Sequence, residues 1–102
     1  MMSNVEYVKT IAEELEQKGA AVFFDGEDGN EIYDIEYIVD AQLEFLGARA
    51  AIAIGGPNIY IDSREGEVDL YWGTEEVHWY LSSSCRIDVD AYFQEIYQML
   101  RS

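Results

Sequence analysis

A chain of 102 residues, 49% of them hydrophobic and only one of them proline, has the length and composition of a single folded domain rather than a multidomain enzyme or a disordered tail. Twenty-one Asp and Glu against six Lys and Arg give a formal net charge of −15, so the basic patch that direct nucleic-acid binding needs is missing and anionic membranes repel the chain. A single cysteine, Cys85, rules out an internal disulfide and fits a reducing cytoplasm.

Residues 4–18 carry Val5, Val8, Ile11, Ala12 and Leu15 at three- and four-residue spacing, with glutamates and lysines between them. That period predicts an amphipathic helix, capped by Ser3 or Asn4 and closed at Gly19 by a left-handed residue. No basic region followed by an apolar run precedes it, so no signal peptide is read there, and no stretch reaches the roughly 20 apolar residues of a membrane helix. Ala20–Phe24 is a short apolar run that predicts a buried strand, followed by the turn-rich Asp25–Asn30. Over residues 33–45 apolar side chains alternate with polar ones, which is a strand period. Thirteen residues is long for one strand, so a bend or tight turn is expected near Asp40–Gln42.

Ala50–Ile54 predicts a second apolar strand ending at Gly55-Gly56-Pro57. Asn58–Asp62 and Glu67–Trp72 predict a hairpin around Ser63–Gly66, and Val77–Leu81 a further short strand after Gly73-Thr74. Cys85, Val89, Tyr92, Phe93, Ile96 and Leu100 then form one stripe at helical spacing, so residues 83–100 read as a closing helix capped by a serine of the Ser82–Ser84 run or by Asp88. The order predicts an α+β domain: an antiparallel sheet of about five strands, with the N- and C-terminal helices on one face.

Few residues point to chemistry. One histidine, His78, and one cysteine cannot supply the roughly four ligands of a structural zinc site, and no third group orients them as a nucleophilic pair. Asp25 to Glu36 fits the first, third and twelfth positions of a calcium loop, but Gly29 and Asn30 fall at the fifth and sixth, where an oxygen ligand and the turn glycine belong. A looser divalent-cation site in an acid-rich loop stays open beside the simpler reading of a solvated turn. No cofactor is expected, and the many carboxylates carry no pattern specific to acid–base catalysis.

The distribution of the acids is more informative. Between Gly19 and Ala48 there is no Lys or Arg, while Asp25, Glu27, Asp28, Glu31, Asp34, Glu36, Asp40 and Glu44 all fall there. Four of these share one strand face if the alternation holds, and Asp62, Glu65, Glu67 and Asp69 on the second hairpin extend the same surface. Glu75 and Glu76 follow it. In size, charge, compact α+β reading and acid-lined strands, the chain resembles the small acidic anti-defence proteins of phages and mobile elements, the anti-CRISPR and antirestriction inhibitors of the DNA-mimic type. That resemblance implies a non-enzymatic inhibitor in the host cytoplasm, whose carboxylates occupy the basic nucleic-acid site of a defence nuclease. The alternative is an acidic interaction module of other function that binds through a sheet edge or apolar helix face, its charge serving solubility. Either reading expects a basic protein partner or a protein interface, no direct nucleic acid, no membrane, and a monomer or dimer.

Overall fold

The computed structural model describes residues 2–102. Helix α1 spans Asn4–Lys18 and α2 spans Ala20–Asp25. Five strands follow, β1 (Asp34–Val39), β2 (Phe45–Ala53), β3 (Asn58–Asp62), β4 (Glu67–Trp72) and β5 (Glu75–Tyr80), and helix α3 covers Ser83–Arg101. Every strand pairs antiparallel with its sequence neighbour in the order β1-β2-β3-β4-β5. The fold is α+β, as the periodicities require, and among the described residues no helix is long and apolar enough to cross a membrane.

The register divides each strand into two sets of side chains. On one face stand the rows Ile35–Ala50–Ile61–Val68–Trp79 and Ala53–Ile59–Leu70–Val77. These pack beneath Val8, Ile11 and Leu15 of α1 and Val89 and Phe93 of α3 in one continuous core. Helix α1 lies against β4 and β5, and α3 against β2, so both long helices cover the same face. Ser3 caps α1 by accepting from the amide of Glu6, and Ser82 caps α3 by accepting from that of Cys85. The two helices are clasped at their ends, where the Glu16 carboxylate accepts from both the amide and the hydroxyl of Ser82 (2.9 and 2.6 Å).

Two expectations are corrected. Ala20–Phe24 is not a strand: it is the body of helix α2, because the amide of Ala20 donates to Asp88 Oδ2 (2.7 Å) and Phe24 stacks on Tyr92 at 4.9 Å. The cap and the packing both come from α3, 68 residues away. Gly19, at φ +79°, joins α1 to α2 with ψ near 160° instead of closing α1 in the left-handed helical conformation. The expected break in the long alternation does occur, as a turn over residues 40–43. There Asp40 Oδ1 accepts from the amides of Gln42 and Glu44, and Leu43 takes a positive φ.

Candidate functional site: the uncovered face of the sheet

Among the described residues, no helix covers the second face of the sheet. Its register rows are Asp34–Ala51–Tyr60–Asp69–His78, Glu36–Arg49–Asp62–Glu67–Tyr80 and Asn58–Tyr71–Glu76. Strand alternation that sends apolar residues to the core sends these outward together. The result is a surface with six carboxylates, one arginine, one histidine and three tyrosines.

The expected site residues divide into three groups. Asp34 and Glu36 stand exposed on this face at β1, an edge strand. Asp62, Glu67 and Asp69 join them from β3 and β4, while Glu65 is exposed in the β3–β4 turn. The remaining acids lie off the sheet. Glu27, Asp28 and Glu31 are exposed in the α2–β1 loop. That loop is folded tightly on α2: the amide of Asn30 donates to the Phe23 carbonyl at 2.8 Å, and a Cβ on Gly29 would meet the Phe24 carbonyl oxygen at 2.4 Å. Asp25 ends α2 and accepts from the Tyr92 hydroxyl at 2.8 Å, which places it with the helices. Asp40 and Glu44 belong to the β1–β2 turn. The expectation that Asp34, Glu36, Asp40 and Glu44 share one strand face is therefore corrected to Asp34 and Glu36 alone, because the chain turns at Asp40. Asp25 to Glu36, for their part, run from the end of α2 through the α2–β1 loop into β1.

Some of these acids also serve the fold. Asp40 holds its turn, and Asp62 Oδ1 accepts from the amide of Glu65 to shape the β3–β4 connection. Burial raises the Asp62 carboxyl above the usual range. Asp69 is 2% exposed although it points away from the core, walled in by its neighbours on the face.

His78, which falls in the expected strand Val77–Leu81, makes contacts with three carboxylates. Its Nδ1 lies 2.5 Å from Asp69 Oδ1 and 3.5 Å from Glu67 Oε1, and its Nε2 lies 2.6 Å from Glu76 Oε1. The contacts with Asp69 and Glu76 raise the affinity of the imidazole for its proton. Glu67 is pushed up to about 7, first by burial and then by the neighbouring Asp69. Beside this group the Arg49 guanidinium lies 3.6 Å over the Tyr60 ring, with Tyr71 edge-on to Tyr60 at 5.9 Å. Among the described residues, the salt bridges made by Lys or Arg are Lys9–Glu13 and Lys18–Glu14, both within α1. The carboxylates of the uncovered face are thus left without an arginine or lysine partner.

The sequence held a signal for this group. Gly73, at φ +60°, takes the first central position of a two-residue turn. Counting outward from that turn pairs Trp72 with Glu75, Tyr71 with Glu76 and Leu70 with Val77, and then sets Asp69 opposite His78. Cys85 is no partner of His78: it is buried on α3, in the core.

Protein-family models, curated proteins and solved structures contain no match to this chain.

Proposed function

We propose that this chain is a non-enzymatic binding protein that offers the uncovered face and acidic edge of its sheet to a basic protein surface, as an acidic DNA mimic acting on a nucleic-acid-binding enzyme. The observation that carries this reading is the position of the cation-free stretch. It runs through the α2–β1 loop and the edge strand β1, exposing Glu27, Asp28, Glu31, Asp34, Glu36 and Glu44 beside the face that bears Asp62, Glu67, Asp69 and Glu76. Along a strand, alternate carboxylates repeat every ~6.6–6.8 Å, a sparser version of the charge density of duplex DNA. Such a field attracts arginines and lysines and accelerates encounter with them.

A second reading draws on the centre of the face. Arg49 stacked on Tyr60, with Tyr71 alongside, interrupts the acids with the residue types that anchor ordinary protein interfaces. The same experiment separates the two readings. The immobilised protein and its Glu31→Gln/Asp34→Asn/Glu36→Gln variant are exposed to host lysate at low and high salt, with and without excess duplex DNA. DNA mimicry predicts capture of a basic nucleic-acid enzyme that salt and DNA displace and the variant fails to hold. Capture that resists both competitors and survives the triple substitution moves the interface to the tyrosine–arginine strip.

A further inference from the structure

We infer that Glu67, Asp69 and His78 form a binding site for one divalent transition-metal ion of the Zn²⁺ class, with Glu76 as the outer carboxylate that orients the imidazole. Glu67, Asp69 and Glu76 belong to the acidic face described above, but metal binding there does not depend on the partner-binding reading.

The donors come from two facing strands. Glu67 and Asp69 are alternate residues of β4 on the same face, and His78 of β5 pairs directly with Asp69, so the backbone ladder fixes all three side chains. One ligand atom from each lies within 4.8 Å of the other two. Two donors bound at ~2.0–2.2 Å in tetrahedral geometry sit roughly 3.3–3.5 Å apart. The Glu67–His78 contact of 3.5 Å is already at that spacing, while Asp69, at 2.5 Å, has to withdraw by roughly 0.8 Å to admit an ion.

The imidazole supplies the strongest reason for a cation at this point. A neutral ring has one N–H, yet both of its nitrogens face carboxylate oxygens, at 2.5 and 2.6 Å. If Nε2–H donates to Glu76, the lone pair of Nδ1 points at the oxygens of Asp69 and Glu67. That arrangement is repulsive unless a second ring proton or a metal ion stands at Nδ1. A metal ion satisfies all three donors at once. The contact between Nε2 and Glu76 is then the carboxylate–histidine–metal relay that fixes the tautomer of a ligating histidine. The nitrogen donor selects a Zn²⁺-class ion over Ca²⁺ or Mg²⁺, which favour all-oxygen shells. Asp69 forms the buried floor of the site and Glu67 is largely covered beside it, while Glu76 lies exposed on the far side of the ring.

The test is calorimetric titration of ZnCl₂ into chelator-treated full-length protein, with Co²⁺ absorption as a second readout. Wild type is expected to bind one ion per chain, unaffected by a large excess of Mg²⁺, with visible Co²⁺ bands and no thiolate charge-transfer band. Glu76→Gln is expected to weaken binding roughly 10–100-fold, and His78→Gln at least as much. Glu95→Gln, an exposed acid on α3, leaves it unchanged and controls for general attraction to negative charge. His78 is partly exposed, so its variant keeps the fold, and far-ultraviolet circular dichroism verifies this. Equal affinity in wild type and His78→Gln overturns the assignment. A thiolate band does so as well, since it puts the ion at Cys85. The absence of any stoichiometric heat, with two protons on the His78 ring by nitrogen NMR, assigns the position to a proton instead.

Discussion

Ser63 offers the sharpest check on how the sheet and α3 are joined. It occupies the rung just beyond the end of β3, and it is 1% exposed. Its amide donates to the Ala48 carbonyl at 2.9 Å, as the next residue of a strand would. Its own carbonyl has turned away and accepts instead from Arg86 Nε at 3.1 Å. The side chain fills the resulting gap: Ser63 Oγ accepts from the Ala48 amide at 3.0 Å, and it lies 2.9 Å from Asp90 Oδ1 on α3. Ser63→Ala keeps the shape and removes the oxygen, which orphans the amide of a residue with no exposed surface. An unsatisfied buried donor costs ~1–3 kcal/mol, while the half-buried Asp90 recovers most of its loss from water. The expected destabilisation is therefore about 1–3 kcal/mol, which lowers Tm by roughly 5–20 °C in a chain of this size. Urea unfolding followed by circular dichroism should show a lower midpoint at constant slope. Asp90→Asn should cost less than half as much. A Ser63→Ala change below about 0.5 kcal/mol, or a larger loss in Asp90→Asn, would refute the view that the hydroxyl replaces a backbone acceptor.

Three other outcomes are expected. Glu16 titrates below its usual range because Ser82 donates two hydrogen bonds to it, so its contribution to stability is present above about pH 4.5 and is lost as pH falls through the lowered value. Glu16→Gln should accordingly cost at most about 1 kcal/mol at neutral pH, since the pair is exposed, and the gap from wild type should close in acid unfolding curves; a gap that widens on acidification contradicts the clasp. Burial, with Glu16 nearby, pushes the Cys85 thiol up to about 12, so a thiol reagent at pH 8 should modify the native protein roughly a hundredfold more slowly than the urea-unfolded chain. Equal rates would place Cys85 outside the core. With a formal charge of −15 and few ion pairs to screen, moderate NaCl should raise Tm by several degrees in a thermal scan, and a flat or falling Tm would show that self-repulsion is not a leading cost.

Sequence periods carried the fold wherever an element was long enough to repeat. The helix stripe from Val8 to Leu15, the strand alternation through Ile35 and Tyr37 and the Ser63–Gly66 hairpin each led to the observed element, since the packing against the core that stabilises them writes their pattern. Ala20–Phe24 was opaque because five consecutive apolar residues fit a strand or a buried helix turn equally, and what decides between them, Asp88 and Tyr92, lies on the last helix. The acidic surface was legible as a composition bias but not as a map: charge density says nothing about which carboxylates hold turns, as Asp40 and Asp62 do. The Glu67–Asp69–His78–Glu76 group depends on register, which a two-residue turn encodes only when the hairpin is counted residue by residue.

Because all the packing lies on one side of the sheet, each strand carries two messages in alternate letters. One set of residues specifies the scaffold, and the interleaved set is released from that duty except where buried residues such as Ala51, Asp62 and Asp69 stand on the outer face. Such a protein can be re-addressed without being rebuilt. Changes at positions such as 34, 36, 49, 60 and 71 should rewrite the outward text while the inward one still folds.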